Sequence, residues 1–306
     1  MKKITILKHG GGELANQLWN YISIYAYSLE NGDRVSNPSF FEYHSYFSPI
    51  KNERILTKFL SFWFKNFSGR RSSPRSRFWR FIYSLYSEVI QLLRSNCVVS
   101  SENQENIVTY LPPTSSSIHL ENKKKLYFTG WLFRNPVGIK KFRKEIVNAF
   151  SANEKILARV HAIIQPFRQQ YDRIVGVHIR QHDYKVFKNG AYFISQDRVR
   201  GILREYEDQF YSDIRRTLFL ITSDGPIDQS VFQGINIYVS KENAVIDLFM
   251  LSKTDTIIGS DSSFGAFASW YGDIPHIVMK KESMDWEYYK GRKEFFENKY
   301  CKLAHF

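Results

Sequence analysis

The sequence predicts an α/β protein with parallel sheets, arranged as two Rossmann-like halves. Two observations carry this. From residue 174 onward, short apolar β-type runs alternate with helical patterns, as in repeated β-α-β units. The chain also opens on such a unit, with three glycines between the first strand and the first helix.

The elements follow in order. Ile4, Ile6 and Leu7 form a short β-type run. Leu14, Leu18, Tyr21, Ile22, Tyr25 and Leu29 then recur at three- and four-residue steps, one face of a helix that Gly32 caps. Residues 40–96 read as helical, aromatic and basic, broken at "SGRRSSPRS", and "ENQENIVTYLPPTSSS" reads as a loop. "KKLYFTGWLF" predicts a strand and "GIKKFRKEIVNAF" a helix, which 153–171 continue. "RIVGVHIR" predicts a buried strand, and "SQDRVRGILREYEDQF" a helix with Ser195 as N-cap. "TLFLITSD", "INIYVS", "DTIIG" and "PHIVMK" predict strands, and "AVIDLFMLSKT" and "FGAFASWYG" helices. The halves are placed at 1–150, with a helical insert at 45–96, and at 151–306.

Composition narrows the function classes. With 306 residues, 43% hydrophobic and 16% aromatic, the chain can bury a substantial core. Cys97 and Cys301 match no metal or redox spacing and suit a reducing compartment, or a fold that does not need cross-links. The N-terminus is too briefly apolar for a secretory signal, and no run is long enough to span a membrane, so a cytoplasmic protein is expected. The net charge of +13 is concentrated: between Lys51 and Arg94, ten basic residues face only Glu53 and Glu88, a local +8. That points to an anionic partner. Nucleic acid is one candidate, but no nucleic-acid-binding motif accompanies the charge. The interleaved Trp63, Phe64, Lys65, Phe67, Arg70, Arg71, Phe78, Trp79 and Arg80 suit an anionic membrane interface instead, and equally a helical insert with an aromatic core and solvated charges.

Ligands of open parallel sheets bind beyond the carboxyl ends of the strands. Four predicted strand ends carry polar clusters: "HGGGELANQ", "HIRQHDY", "TSDGP" and "GSDSSF". The last leads small residues into a helix, a pattern that suits an anion, although an ordinary capped helix would look the same. Arg180 closes a strand on the same face as His178 and has the fork geometry for a phosphate, or for a structural ion pair with Asp183 or another carboxylate. His178, His182 and Asp183 are metal-ligating types, but their spacing suits no common site, so no metal is expected. "GGGELANQ" lacks the dinucleotide spacing. Its glycines permit close backbone approach to a ligand, and Glu13 is either a general base or a solvated turn residue.

With these clusters in order, the chain resembles the bacterial α-1,2-fucosyltransferases and, more distantly, the GDP-fucose-dependent superfamily with α-1,6 and protein O-fucosyl members. "GGGELANQLWNYISIYAYSLENG" is similar to the family's glycine-rich opening and helix. "YFTGWLFRNPVGIKKFRKEIVNAF" resembles its second strand and helix. "VHIRQHDY" matches its His-x-Arg-x-x-Asp-Tyr motif, and "FLITSDGPI" and "VIDLFMLSKTDTIIGSDSSFGAFASWYG" resemble the remaining segments. The family's second arginine is Gln181 here, and Gly225, Ala15, Glu13, Asp261, Ala266 and Phe267 also depart from the pattern.

The resemblance implies a GT-B-like fold, a GDP-fucose donor and inversion without a required metal or other cofactor. It implies that Arg180 holds the β-phosphate of the leaving GDP, with His178 beside it on the donor. Ser262, Ser263 and Phe264 would line the diphosphate pocket with Asp261 at its edge, Asp224 would lie near the nucleotide, and Asn16 would reach the donor from the N-terminal, acceptor-side half. Asp183 and Glu13 are the candidate bases. The acceptor is expected to be a glycan, either a surface polysaccharide or a lipid-linked oligosaccharide. Docking of residues 51–94 on the inner leaflet would bring the enzyme to a lipid-linked one. A transferase for another GDP-sugar is the remaining alternative.

Overall fold

The computed structural model describes residues 1–48, 58–62, 74–101, 108–111, 123–210 and 216–290. Lys51, Arg54, Trp63, Phe64, Lys65, Phe67, Arg70, Arg71 and Cys301 lie outside the described residues, as do the side chains of Arg75 and Asp183. The chain forms two compact units, the first spanning Met1–Glu154 and the second beginning at Lys155.

The first unit runs β1 (Lys3–Lys8), α1 (Leu14–Glu30), β2 (Arg34–Ser36), α2 (Phe41–His44), α3 (58–62), α4 (Pro74–Leu93), β3 (Val98–Ser100), β4 (Thr109–Tyr110), β5 (Lys125–Thr129), β6 (Phe133–Arg134), α5 (Pro136–Lys141), α6 (Arg143–Ala149) and the start of α7 (Glu154–Gln170). Its four-stranded sheet has the order β2-β1-β5-β3, with every pairing parallel. Parallel strands are covered on both faces, and β1 is accordingly buried from Ile4 to Leu7.

The predicted helix after the glycine turn is α1, but its burial extends well beyond the apolar stripe read from the sequence. Gln17, Asn20, Ser23 and Ser28 are buried as well. Ser23 and Ser28 donate back to carbonyls of the same helix, while Asn20 reaches outside it, donating from Nδ2 to the Gly130 carbonyl (3.0 Å) and accepting from the Phe133 amide (3.2 Å). α1 ends at the glycine predicted for it. Gly32 is left-handed (φ 63°), its amide bonds the Leu29 carbonyl, and the Asp33 amide reaches back to Ser28, satisfying the last carbonyls of the helix.

Two predictions need correction here. "KKLYFTGWLF" is two strands, not one. Gly130, at φ 125°, breaks the run, and β6 leaves the main sheet to pair with β4. The run read as a loop therefore contains β4, a strand of two residues, too short for any periodicity to register.

The second unit continues with β7 (Arg173–Ile179), α8 (Gln196–Phe210), β8 (Thr217–Ser223), β9 (Ile237–Val239), α9 (Ala244–Leu251), β10 (Thr256–Gly259), α10 (Ser263–Gly272), β11 (His276–Val278) and α11 (Trp286–Tyr289). Ser195 caps α8 as expected, accepting from the Arg198 amide. The sheet order is β11-β10-β7-β8-β9, all parallel. The chain builds outward from β7 through β8 and β9, then returns to add β10 and β11 on the other side. This reversal opens a crevice at the carboxyl ends of β7 and β10. Beneath it, Val175, Val177, Ile179, Phe219, Ile221, Ile258 and Ile277 form one buried cluster with Val199, Ile202 and Leu203 of α8. The strand ends above therefore rest on rigid packing.

Asn20 ties the first unit's helix to the turn after β5. We expect Asn20→Ala to lower stability by about 2–4 kcal/mol, because two hydrogen bonds are lost and the buried Phe133 amide is left unpaired. Urea unfolding followed by tryptophan fluorescence measures this, and a midpoint equal to the parent's would contradict it.

Candidate functional site

The strongest concentration of chemistry lies at the β7–β10 reversal of the second unit. Gly259 of β10 stands in register with His178 of β7, so the residues that follow each strand emerge side by side. The Ser260 hydroxyl accepts from the Arg180 amide at 3.1 Å, joining the two strand ends directly.

Arg180 is held from several directions. Its Nε lies 3.2 Å from Asp224 Oδ2, both side chains being about three-quarters buried. Its guanidinium carbon lies 5.2 Å from the Tyr184 ring centre, within cation–π range. The Tyr184 hydroxyl in turn donates to the Asp261 carbonyl at 2.8 Å. Asp224 also accepts from the Gln181 amide at 2.6 Å and from the His182 amide at 3.4 Å. One carboxylate at the end of β8 thus fixes both the turn after β7 and the arginine that precedes it. The sequence left open whether Arg180 paired with Asp183 or another carboxylate, and among the described side chains Asp224 is a partner. The Asp183 side chain lies outside the described residues.

α10 begins at this point. Ser262 is its N-cap, with the hydroxyl oxygen 3.5 Å from the Gly265 amide that donates to it. The ordinary reading of "GSDSSF" as a capped helix start therefore holds for Ser262. It is compatible with an anion site, since the cap bond uses an oxygen lone pair and not the hydroxyl proton. The first-turn amides of a ten-residue helix, with the positive end of its dipole, emerge beside Arg180's strand end.

His178 and Phe264 form one wall. Their rings stack with centres 4.7 Å apart and 27° between planes. His178 Nδ1 lies 3.1 Å from Thr222 Oγ1, which itself donates to the Val177 carbonyl at 3.4 Å. A threonine hydroxyl carries one proton, so with that proton on Val177 the oxygen accepts from Nδ1–H. Nε2 is then the unprotonated, accepting nitrogen. It is buried and has no hydrogen-bond partner among the described residues. Burial, and secondarily the Arg180 charge and the nearby His276, push the His178 pKa down to about 3. His276, fully buried, is pushed to about 3 by burial. Its ring packs closely under α10: a Cβ on Gly265 would lie 3.1 Å from the His276 ring, a tight contact. The sequence reading missed His276, Thr222, Ser260 and Tyr184 as members of this cluster, although Thr222, Tyr184 and Ser260 stand inside the quoted motifs.

Glu13 and Asn16 lie in the first unit, beyond the end of β1. Glu13 is exposed and occupies the N-cap position of α1 without a side-chain cap bond. Asn16 packs against Gly12, where a Cβ would come 2.4 Å from its Nδ2. Gly10 and Gly12 both have positive φ, 77° and 74°, which suits glycine alone in this tight turn.

Two departures from the family pattern prove to be neighbours. A Cβ on Gly225 would lie 2.6 Å from the Gln181 Cβ, so the two positions touch. The Arg180–Asp224 pair stands beside this compact neutral contact. Among the described residues no group of three or more His, Cys, Asp or Glu side chains is placed to hold a metal, and no helix is long and apolar enough to cross a membrane.

No protein-family model matches the sequence, and a search of curated proteins returned no match. Solved structures do resemble the fold. Fucosyltransferase NodZ from Bradyrhizobium is similar with a TM-score of 0.54 at 14% identity, over 93% of this chain and 97% of that one. NodZ alpha-1,6-fucosyltransferase soaked with GDP-fucose gives 0.54 at 14%, over 92% and 96%. A point mutant of Arabidopsis thaliana FUT1 in complex with GDP gives 0.53 at 12%, over 92% of this chain and 71% of that one. At such identities the likeness is one of fold, and the fold is the GT-B-type α/β architecture with parallel sheets that the sequence led us to expect.

The two buried histidines make a pH signature. Each is neutral when folded and takes a proton on unfolding below its free pKa of about 6.5, so stability falls as pH drops from about 6.5 toward 3. Each ring contributes a slope of about 1.4 kcal/mol per pH unit well inside that window. We expect His276→Asn to make the fall between pH 6 and pH 4 shallower by about that amount, measured by urea unfolding across the range. An unchanged slope would show that His276 is not buried neutral.

Proposed function

We propose that this chain is a glycosyltransferase that moves fucose from GDP-fucose to a hydroxyl of a glycan acceptor, with inversion and without a required metal. The observation that carries this reading is the fixing of Arg180, by Asp224 and Ser260, at the strand reversal where α10 begins. The fold likeness to NodZ soaked with GDP-fucose and to FUT1 in complex with GDP supports the donor class.

As the glycosidic bond breaks, charge develops on the departing diphosphate. A cation and oriented amides already in place stabilise it without reorganising at the moment of reaction. Arg180 is the cation. The α10 amides, with the hydroxyls of Ser262 and Ser263, are the oriented donors, and Asp261 lies at the edge of the pocket. Asp224 acts through Arg180 as a positioning residue. His178 and Phe264 form the wall beside which the donor lies. Because the transition state is oxocarbenium-like, the acceptor needs only a weak base. Glu13 and Asp183 are the candidates for that base, and Asn16 contributes from the first unit. We assign the linkage as α-1,2 and the acceptor as a lipid-linked or surface-polysaccharide glycan, reached from the cytoplasmic side of the membrane.

Calorimetric titration with GDP, GDP-fucose and GDP-mannose tests the donor. We expect GDP and GDP-fucose to bind and GDP-mannose to bind more weakly. Equal or tighter binding of GDP-mannose would move the assignment to another GDP-sugar, and no GDP binding would end it. In transfer assays, Arg180→Ala is expected to lower turnover by about 10²–10³ while leaving the unfolding midpoint in place. Near-parent turnover in that variant would remove Arg180 from the chemistry.

A further inference from the structure

Among the described residues, α4 carries an apolar face that is left outward. Phe78, Phe81, Ile82, Leu85, Val89, Leu92 and Leu93 are all exposed, from 37% for Ile82 to 79% for Leu92. At 100° per residue these positions fall within an arc of about 120° along the whole helix. A helix packed in the ordinary way turns such a stripe inward. Here another face does that work. Tyr83 is buried with Phe41 and Leu60, with Trp79 and Tyr86 packed alongside. The Tyr83 hydroxyl donates to the Leu7 carbonyl of β1 at 2.7 Å. Arg80 pairs with Glu42 at 3.2 Å, and Glu88 with Lys8. These contacts fix the rotation of α4 about its axis, so the apolar stripe is held outward. A continuous exposed apolar surface of this kind marks an interaction site.

The charge around the stripe decides the occupant. Lys58, Arg77 and Arg94 are exposed near it in sequence, within the 51–94 stretch of net charge +8. A second copy of the chain would bring the same positive charge to the contact. An anionic lipid surface offers acyl chains to the stripe and headgroups to the arginines and lysines. We propose that α4 lies in the plane of an anionic bilayer, with Phe78, Phe81, Leu85, Val89 and Leu92 inserted among the lipids. This names the docking element for the lipid-side acceptor in the function proposed above and rests on that part of the reading. It does not depend on the donor chemistry.

Co-sedimentation of the full chain with vesicles tests it. Phosphatidylcholine vesicles containing phosphatidylserine are expected to bind the chain, phosphatidylcholine alone to bind it at least ~10-fold more weakly, and raised salt to release it. The double variant Phe81→Ser, Leu85→Ser alters only exposed side chains, and it is expected to lose at least ~10-fold in vesicle binding while keeping its unfolding midpoint. No binding to anionic vesicles, or equal binding by the variant, would overturn the proposal. So would a dimer of the parent, seen by light scattering, that the same variant dissolves, because the stripe's occupant would then be a second copy. GDP titration of the same samples separates the readings: vesicle binding without GDP binding leaves α4's role standing and removes the transferase.

Discussion

The pairing of β7 with β10 constrains the rest of the second unit. Because the chain reverses there, two strand ends that are far apart in sequence emerge in register, His178 opposite Gly259. The side chains that follow each strand therefore emerge side by side. Arg180 follows one strand, and Ser260, Asp261 and the start of α10 follow the other. The cost of placing a guanidinium there is met by Asp224 from the next strand, which also binds the turn amides at Gln181 and His182. A cation already fixed by its neighbours need not reorganise when negative charge appears, and this is the physical basis of the proposed leaving-group stabilisation.

The second unit was readable from sequence because its strands are buried on both faces and its helices on one. "RIVGVHIR" and "TLFLITSD" are near-continuous apolar runs, while α8 has a strongly one-sided pattern, and the two periods differ sharply. The candidate site was readable to the same depth: polar residues at strand ends have little reason to sit there except to meet something. What could not be read were the partners. Nothing in "TSDGP" says that Asp224 reaches across to Arg180 and not outward to a ligand, since that depends on strand order. His276 sits inside a predicted buried strand, and only the sheet order brings it behind His178 and under Gly265.

The first unit was harder to read, for different reasons. α1 is buried nearly all round, so its apolar stripe understated its contacts, and the polar Asn20 serves as a tertiary anchor. Gly130 ends a strand inside a run whose pattern continues past it. α4 misleads in the opposite sense. Its apolar periodicity is clear, but periodicity alone cannot tell a stripe that packs inward from one that faces out. Tyr83, buried and bonded to β1, settles the direction. The same physical rule, that apolar faces are removed from water, then applies outside the molecule, to a surface the chain would meet.

The most direct measurement is a crystal structure of the chain with GDP bound. The account predicts the β-phosphate within hydrogen-bond reach of the Arg180 guanidinium and of the first-turn amides of α10, with Asp224 still paired to Arg180. A diphosphate bound elsewhere, with Arg180 turned wholly into its contact with Asp224 and away from the nucleotide, would contradict it.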